Sequence, residues 1–137
     1  MTVYQRTLQV RSAGRGFVNF TPMVRAVVTE SGIQRGVCCV FVQHTSASLV
    51  IQENADPAVL RDLERWMGEL APDSRRWEHD AEGPDDMPAH ARSVLTRSSE
   101  AIPVIDGELA LGTWQALYLW EHRARGHTRQ VVVSVFC

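Results

Sequence analysis

Polar and apolar residues alternate at the start of the chain. Tyr4, Leu8 and Val10 share one parity with Arg6, while Gln5, Thr7 and Gln9 take the other. A period of two marks a strand with one solvated face. Arg11 to Gly16 reads as a turn and Phe17 to Phe20 as a short strand. Thr21-Pro22 then predicts a helix, with Thr21 as N-cap and proline at the first helical position. Met23, Val24, Val27 and Val28 keep helical spacing, and Ser31-Gly32 supplies a glycine stop.

Gly36 to Gln43 is apolar on both parities and predicts a strand covered on both faces. Ser46 to Glu53 reads as a second strand, its hairpin or bent partner. Asp56-Pro57 opens a helix with Leu60, Leu63, Met67 and Leu70 on one stripe, and Ala71-Pro72 ends it. A polar loop follows, turning at Gly83-Pro84. Pro88 opens a short third helix, Ala89 to Thr96. Ala101 to Ile105 is a strand, Asp106-Gly107 a hairpin turn, and Leu109 to Leu111 the return. Trp114 to His122 and Thr128 to Phe136 are the last strands, joined by the polar Arg123 to His127 turn. Seven or eight strands and three short helices, not strictly alternating, predict an α+β fold. It would be a largely antiparallel sheet or sandwich in one domain over 1–137.

Composition narrows the function. The chain has 137 residues, 45% hydrophobic and 22% charged, with a net charge of -2. Nothing in that balance attracts nucleic acid or an anionic membrane. There is no lysine, which excludes Schiff-base catalysis and a P-loop lysine. Cys38, Cys39 and Cys137 form neither a CxxC pair nor a disulfide framework. No apolar run is long enough to span a bilayer, and the alternating N-terminal segment is unlike a signal peptide. The expectation is a cytoplasmic protein with free thiols.

The loop Glu78 to His90, EHDAEGPDDMPAH, carries the strongest chemical signal. Five carboxylates, Glu78, Asp80, Glu82, Asp85 and Asp86, accompany His79 and His90 in it. No core accepts that composition, because unpaired carboxylates are costly to bury and repel one another. The segment is either solvated or the wall of a cation site. His79, Asp85, Asp86 and His90 are candidate metal ligands, since imidazole plus carboxylate suits a divalent ion such as Mg2+ or Zn2+. His90 is placed in the first helical turn, where the dipole favours neutral imidazole. The competing reading makes Asp85 or Asp86 a helix cap and His79 a surface residue.

Three further segments bear polar groups at strand ends. In Gln43 to Ser48, His44, Thr45 and Ser46 offer an imidazole, hydroxyls and backbone for an anion; a hairpin corner is the plainer alternative. In Leu111 to Arg123, Gln115, Glu121 and Arg123 share a parity, Gly112 suggests a close backbone approach, and Glu121–Arg123 reads as an ion pair. Glu53-Asn54 precedes a cap and places Asn54 near a strand end.

HTSASLVIQENADP, EGPDDMPAH and LGTWQALYLWEHR, in this order, resemble the YjbQ-like family, whose members are described as secondary thiamine-phosphate synthases. The resemblance covers nearly the whole chain. It implies a sandwich fold, a homotrimer and a weak transferase activity. That reaction joins a hydroxymethylpyrimidine diphosphate to a thiazole phosphate, giving thiamine phosphate and pyrophosphate. It assigns motif positions to His44, Thr45, Ser46, Asn54, His79, Asp85, Asp86, His90, Gly112, Gln115, Glu121 and Arg123, and gives His122 no role. The expected mechanism has Asp85, Asp86 and His90 hold the cation, Arg123 and Ser46 hold phosphate, and His44 or His79 orient substrate or donate a proton. Two alternatives are a metal-dependent hydrolase of a small metabolite and a non-catalytic metabolite- or metal-binding trimer.

Overall fold

The computed structural model describes residues 1–137. In chain order the elements are β1 (Val3–Arg11), β2 (Gly16–Asn19), α1 (Thr21–Ser31), β3 (Arg35–Val42), β4 (Ala47–Glu53), α2 (Pro57–Leu70), α3 (Asp86–Leu95), β5 (Ser99–Ile105), β6 (Glu108–Leu109), β7 (Gln115–Glu121) and β8 (Thr128–Phe136). The strands form two antiparallel sheets, one ordered β1-β8-β3-β5-β6 and the other β2-β7-β4. The fold is α+β, as the pattern of elements predicts.

Alternation explains the core. Val10, Cys38, Val40, Val42, Ile102, Val104, Val131, Val133 and Val135 point inward from the large sheet. Ala47, Leu49, Leu117 and Leu119 meet them from the small sheet, and α1 closes the side with Val24, Val27 and Val28. The other face of the small sheet lies under α2 and α3; Trp120 Nε1 donates to Glu64 of α2 at 3.1 Å. β7 is therefore buried on both faces from Ala116 onward. No helix is long and apolar enough to cross a membrane.

Several expectations are corrected. β3 is covered on one face only: Cys38, Val40 and Val42 are buried, but Phe41 on the opposite parity is 45% exposed. β4 is not a hairpin partner of β3, because it crosses to the small sheet and pairs with β7. Likewise β7 and β8 lie in different sheets. Thr21 is not an N-cap, since its hydroxyl accepts from Leu117 N at 2.8 Å and donates to Asn19 Oδ1 at 2.7 Å. α3 begins at Asp86, so Pro88 lies within its first turn, where a missing N–H is harmless. Asp56 does cap α2, accepting from Ala58 N at 2.9 Å. Asp106 (φ 53) and Gly107 (φ 77) make the predicted two-residue hairpin.

Candidate functional site

The earlier start of α3 brings the loop chemistry together. Asp86 and His90 stand four residues apart on one helical face. Asp86 is 2% exposed, and its Oδ2 lies 2.9 Å from His79 Nε2 and 3.3 Å from His90 Nε2. Donor atoms of His79, Asp86 and His90 all lie within 4.8 Å of one another. His90 is thus in the second helical turn, beyond the strongest part of the dipole.

The surrounding groups hold this triad in place. His90 Nδ1 faces the Thr45 carbonyl at 3.0 Å, with Ser46 Oγ at 3.5 Å. A carbonyl accepts only, so Nδ1 carries the proton and Nε2 turns toward Asp86. His79 Nε2 meets Glu82 Oε2 at 2.9 Å as well as Asp86. Its pKa is raised, first by Glu82 and then by Asp86.

Arg123 reaches the same carboxylate from the end of β7. It donates to Asp86 Oδ1 at 3.1 Å, Asp85 Oδ2 at 2.9 Å and the Glu82 carbonyl at 3.0 Å. Asp85 also accepts from Ala124 N at 2.9 Å, and its pKa falls to about 2, chiefly through Arg123. Asp85 therefore anchors Arg123 and is not part of the triad. The expected Glu121–Arg123 side-chain pair does not form. Glu121 accepts from the Arg123 backbone N at 3.1 Å, and its ion-pair partner is Arg129 at 2.6 Å.

Glu121 and Arg129 meet across the sandwich, one from each sheet. Glu121 is fully buried and also accepts from Ser12 Oγ at 2.7 Å. Burial raises its pKa, but Arg129 and Ser12 outweigh this and the net direction is down. Arg129 Nη1 in turn lies 2.9 Å from His44 Nε2, while His44 Nδ1 accepts from Ser46 N at 3.0 Å. Donors face both nitrogens. Packing on one side removes solvent, Arg129 adds repulsion, and the His44 pKa is lowered. Arg129 is the main residue the sequence reading missed. Its signal was its inward parity with Val131, Val133 and Val135.

Asn54, Gly112 and Gln115 are not brought to the triad. Gln115 pairs with Glu53 and Glu121 with Ala47, so they mark opposite ends of β7, roughly 20 Å apart at strand rise. There Gln115 Oε1 accepts from Gly112 N at 2.7 Å, and Asn54 N donates to Trp114 O at 3.0 Å. His122 is fully buried; its Nε2 is 2.8 Å from Ser48 Oγ, and burial, then Arg92, pushes its pKa down to about 3.

Fold and site define a two-sheet α+β protein with a histidine–aspartate–histidine cluster at one end of its small sheet. The family model described as UPF0047 protein YjbQ-like matches residues 6–137, and the chain belongs to that family. A UPF0047 protein of Synechocystis is 54% identical over 133 residues, covering 96% of this chain and 90% of that protein. The UPF0047 protein YjbQ of Escherichia coli O157:H7 is 38% identical, covering 96% of each. A crystal structure from Sulfolobus solfataricus, described as a protein of unknown function, superposes with TM-score 0.90 at 29% identity, covering 98% of this chain and 96% of that one. One from Clostridium acetobutylicum gives 0.85 at 35% identity, covering 96% and 98%.

Proposed function

We propose that the protein is a divalent-cation-dependent enzyme acting on a small phosphorylated metabolite, with the cation held by His79, Asp86 and His90. The observation that carries this reading is the convergence of two imidazole nitrogens and a buried carboxylate oxygen within 4.8 Å. The residues fit such an ion. Both nitrogens of His90 face oxygen acceptors, so Nε2 needs a proton or a metal in front of it. Two imidazoles with one carboxylate suit a zinc-class ion better than Mg2+, which prefers oxygen ligands. When bound, the ion supplies a Lewis acid for a phosphoryl oxygen or lowers the pKa of a water.

The chain's own residues then have defined tasks. The Thr45 carbonyl fixes the His90 tautomer, and Arg123 holds Asp86 in orientation. His44, with its nitrogens already facing Ser46 N and Arg129 Nη1, positions those two groups rather than exchanging a proton. The leading reaction is the one the family resemblance implies. The bond from the pyrimidine methylene to its diphosphate breaks, the thiazole nitrogen bonds to that carbon, and thiamine phosphate and pyrophosphate leave. Steady-state synthesis with and without EDTA tests it; no detectable product at micromolar enzyme with Zn2+ or Mg2+ present rejects it.

A second reading, hydrolysis of a small phosphate or acyl ester, draws on one observation. Arg123, the expected phosphate ligand, is already committed to Asp85, Asp86 and the Glu82 carbonyl. An ester panel that turns over with wild type and fails with His90→Ala supports it. Tight metal binding with no turnover of any substrate points instead to the non-catalytic role. The proposal takes the protein to be a cytoplasmic homotrimer. Phe41 and Ile105, both exposed on the outer face of the large sheet, favour an assembly. Light scattering on the purified protein checks it.

A further inference from the structure

A second concave site lies on the side of the Glu121–Arg129 pair away from the triad. A cavity of about 790 Å3 opens between the end of β1 and the β7–β8 connection. Arg11 and Ser12 line one side; Arg125, Gly126, His127 and Thr128 line the other. No carboxylate lines it, although the chain carries two more acids than bases. Arg15, Arg92, Arg123 and Arg129 are each paired with a carboxylate. Arg11 and Arg125 have no such partner.

The walls are built, not loose. Ser12 N donates to the His127 carbonyl at 2.8 Å, and His127 N donates to Ser12 Oγ at 3.0 Å. The two loops approach so closely that a Cβ at Gly126 would lie 2.5 Å from the Ser12 carbonyl oxygen. One at Gly14 would lie 2.5 Å from the Ala124 oxygen. Only glycine permits that contact. His127 Nδ1 donates to the Arg125 carbonyl at 2.9 Å, which fixes the ring against this wall. Arg11 sits opposite Thr128 in the strand register, so the two side chains leave the same face of the sheet.

We infer that this cavity binds a multiply charged oxyanion, the phosphate or diphosphate group of a small metabolite, with Arg11 and Arg125 as its principal ligands. Two unpaired guanidinium forks match phosphate oxygens bidentately, and the volume is that of a small-molecule site. The site also resolves the difficulty that Arg123 is committed elsewhere. It deepens the proposed function by naming the phosphate-holding residues, and rests on that reading only for the link to the triad. That link runs through Arg129, which touches His44, and Ser12, which touches both Glu121 and His127.

The test is calorimetry in EDTA and low-salt buffer, with inorganic phosphate, pyrophosphate and glycerol phosphate as separate probes. Pyrophosphate is expected to bind saturably. Arg11→Ala and Arg125→Ala should each weaken it at least tenfold, and Arg11→Lys should recover part of the loss. Arg61→Ala, which removes the same charge from exposed α2, should leave it unchanged. All variants are checked for an unaltered melting transition, and Arg125→Gln replaces any that fails. Glycerol phosphate binding more tightly than inorganic phosphate identifies an ester as the ligand; the reverse order identifies the free ion. No saturable binding, equal binding by all variants, or preference for duplex DNA over pyrophosphate would overturn the inference. Because EDTA is present throughout, loss of metal binding by the triad leaves this result unaffected.

Discussion

Replacing Glu121 by leucine removes the carboxylate that joins the two sheets. It accepts from Arg129 at 2.9 and 2.6 Å, Ser12 at 2.7 Å and Arg123 N at 3.1 Å. Leucine leaves Arg129, 4% exposed, beside His44 with an uncompensated charge. Breaking a buried pair from one side costs about 3–5 kcal/mol. Unfolding entropy of about 2.1 cal/mol/K per residue, over 137 residues, makes each kcal/mol worth about 3.5 °C. The expected loss in Tm is therefore roughly 10–17 °C. Adding Arg129→Met removes the stranded charge, and the double variant should recover most of the loss. Calorimetry of wild type, both single variants and the double variant completes the cycle. A Glu121→Leu loss under about 3 °C, or a double variant that falls by the sum of the singles, would refute the reasoning.

Zinc at a hundred times its Kd should stabilise the wild type by about 2.7 kcal/mol, or about 9 °C. Asp86→Asn should lose more than half of that shift in thermal melts with and without EDTA; an equal shift would move the cation elsewhere. The raised His79 pKa makes metal binding compete with protons. Calorimetry at neutral pH in buffers of different ionisation enthalpy should show proton release that shrinks as pH rises through that pKa. Acid should weaken the fold early. His122 takes up a proton near 6.5 when unfolded and only near 3 when folded, so stability falls as pH drops across that interval. Asp85 adds a loss of the same sign between 3.8 and about 2. Urea midpoints that stay flat from pH 6.5 to 4 would contradict the His122 assignment.

The strands were legible because alternation is local: β8 runs from Thr128 to Phe136, as its pattern predicts. Partner choice was not. β3 and β4, and β7 and β8, are close in sequence but belong to different sheets, and no periodicity distinguishes a hairpin from a crossing. EHDAEGPDDMPAH disclosed the triad's residues, but Pro88 read as a first helical position hid the Asp86–His90 spacing. Strand parity failed for Arg123 because β7 ends at Glu121 and the chain leaves the sheet there. Arg129 fell inside the predicted strand Thr128 to Phe136 and was given no role, although its parity with three buried valines marked it as facing inward.

Glu121 and Arg129 are eight residues apart and bound to each other from opposite sheets. The intervening arc is thereby tied at its base like a clasp. Trypsin sites after Arg123 and Arg125 lie within it, so cutting there at native pH should await opening of that knot. New chain ends placed in the arc by circular permutation would separate its Asp85-bound half from its Ser12-bound half, whereas the Asp106-Gly107 hairpin offers a tip whose opening disturbs neither cluster.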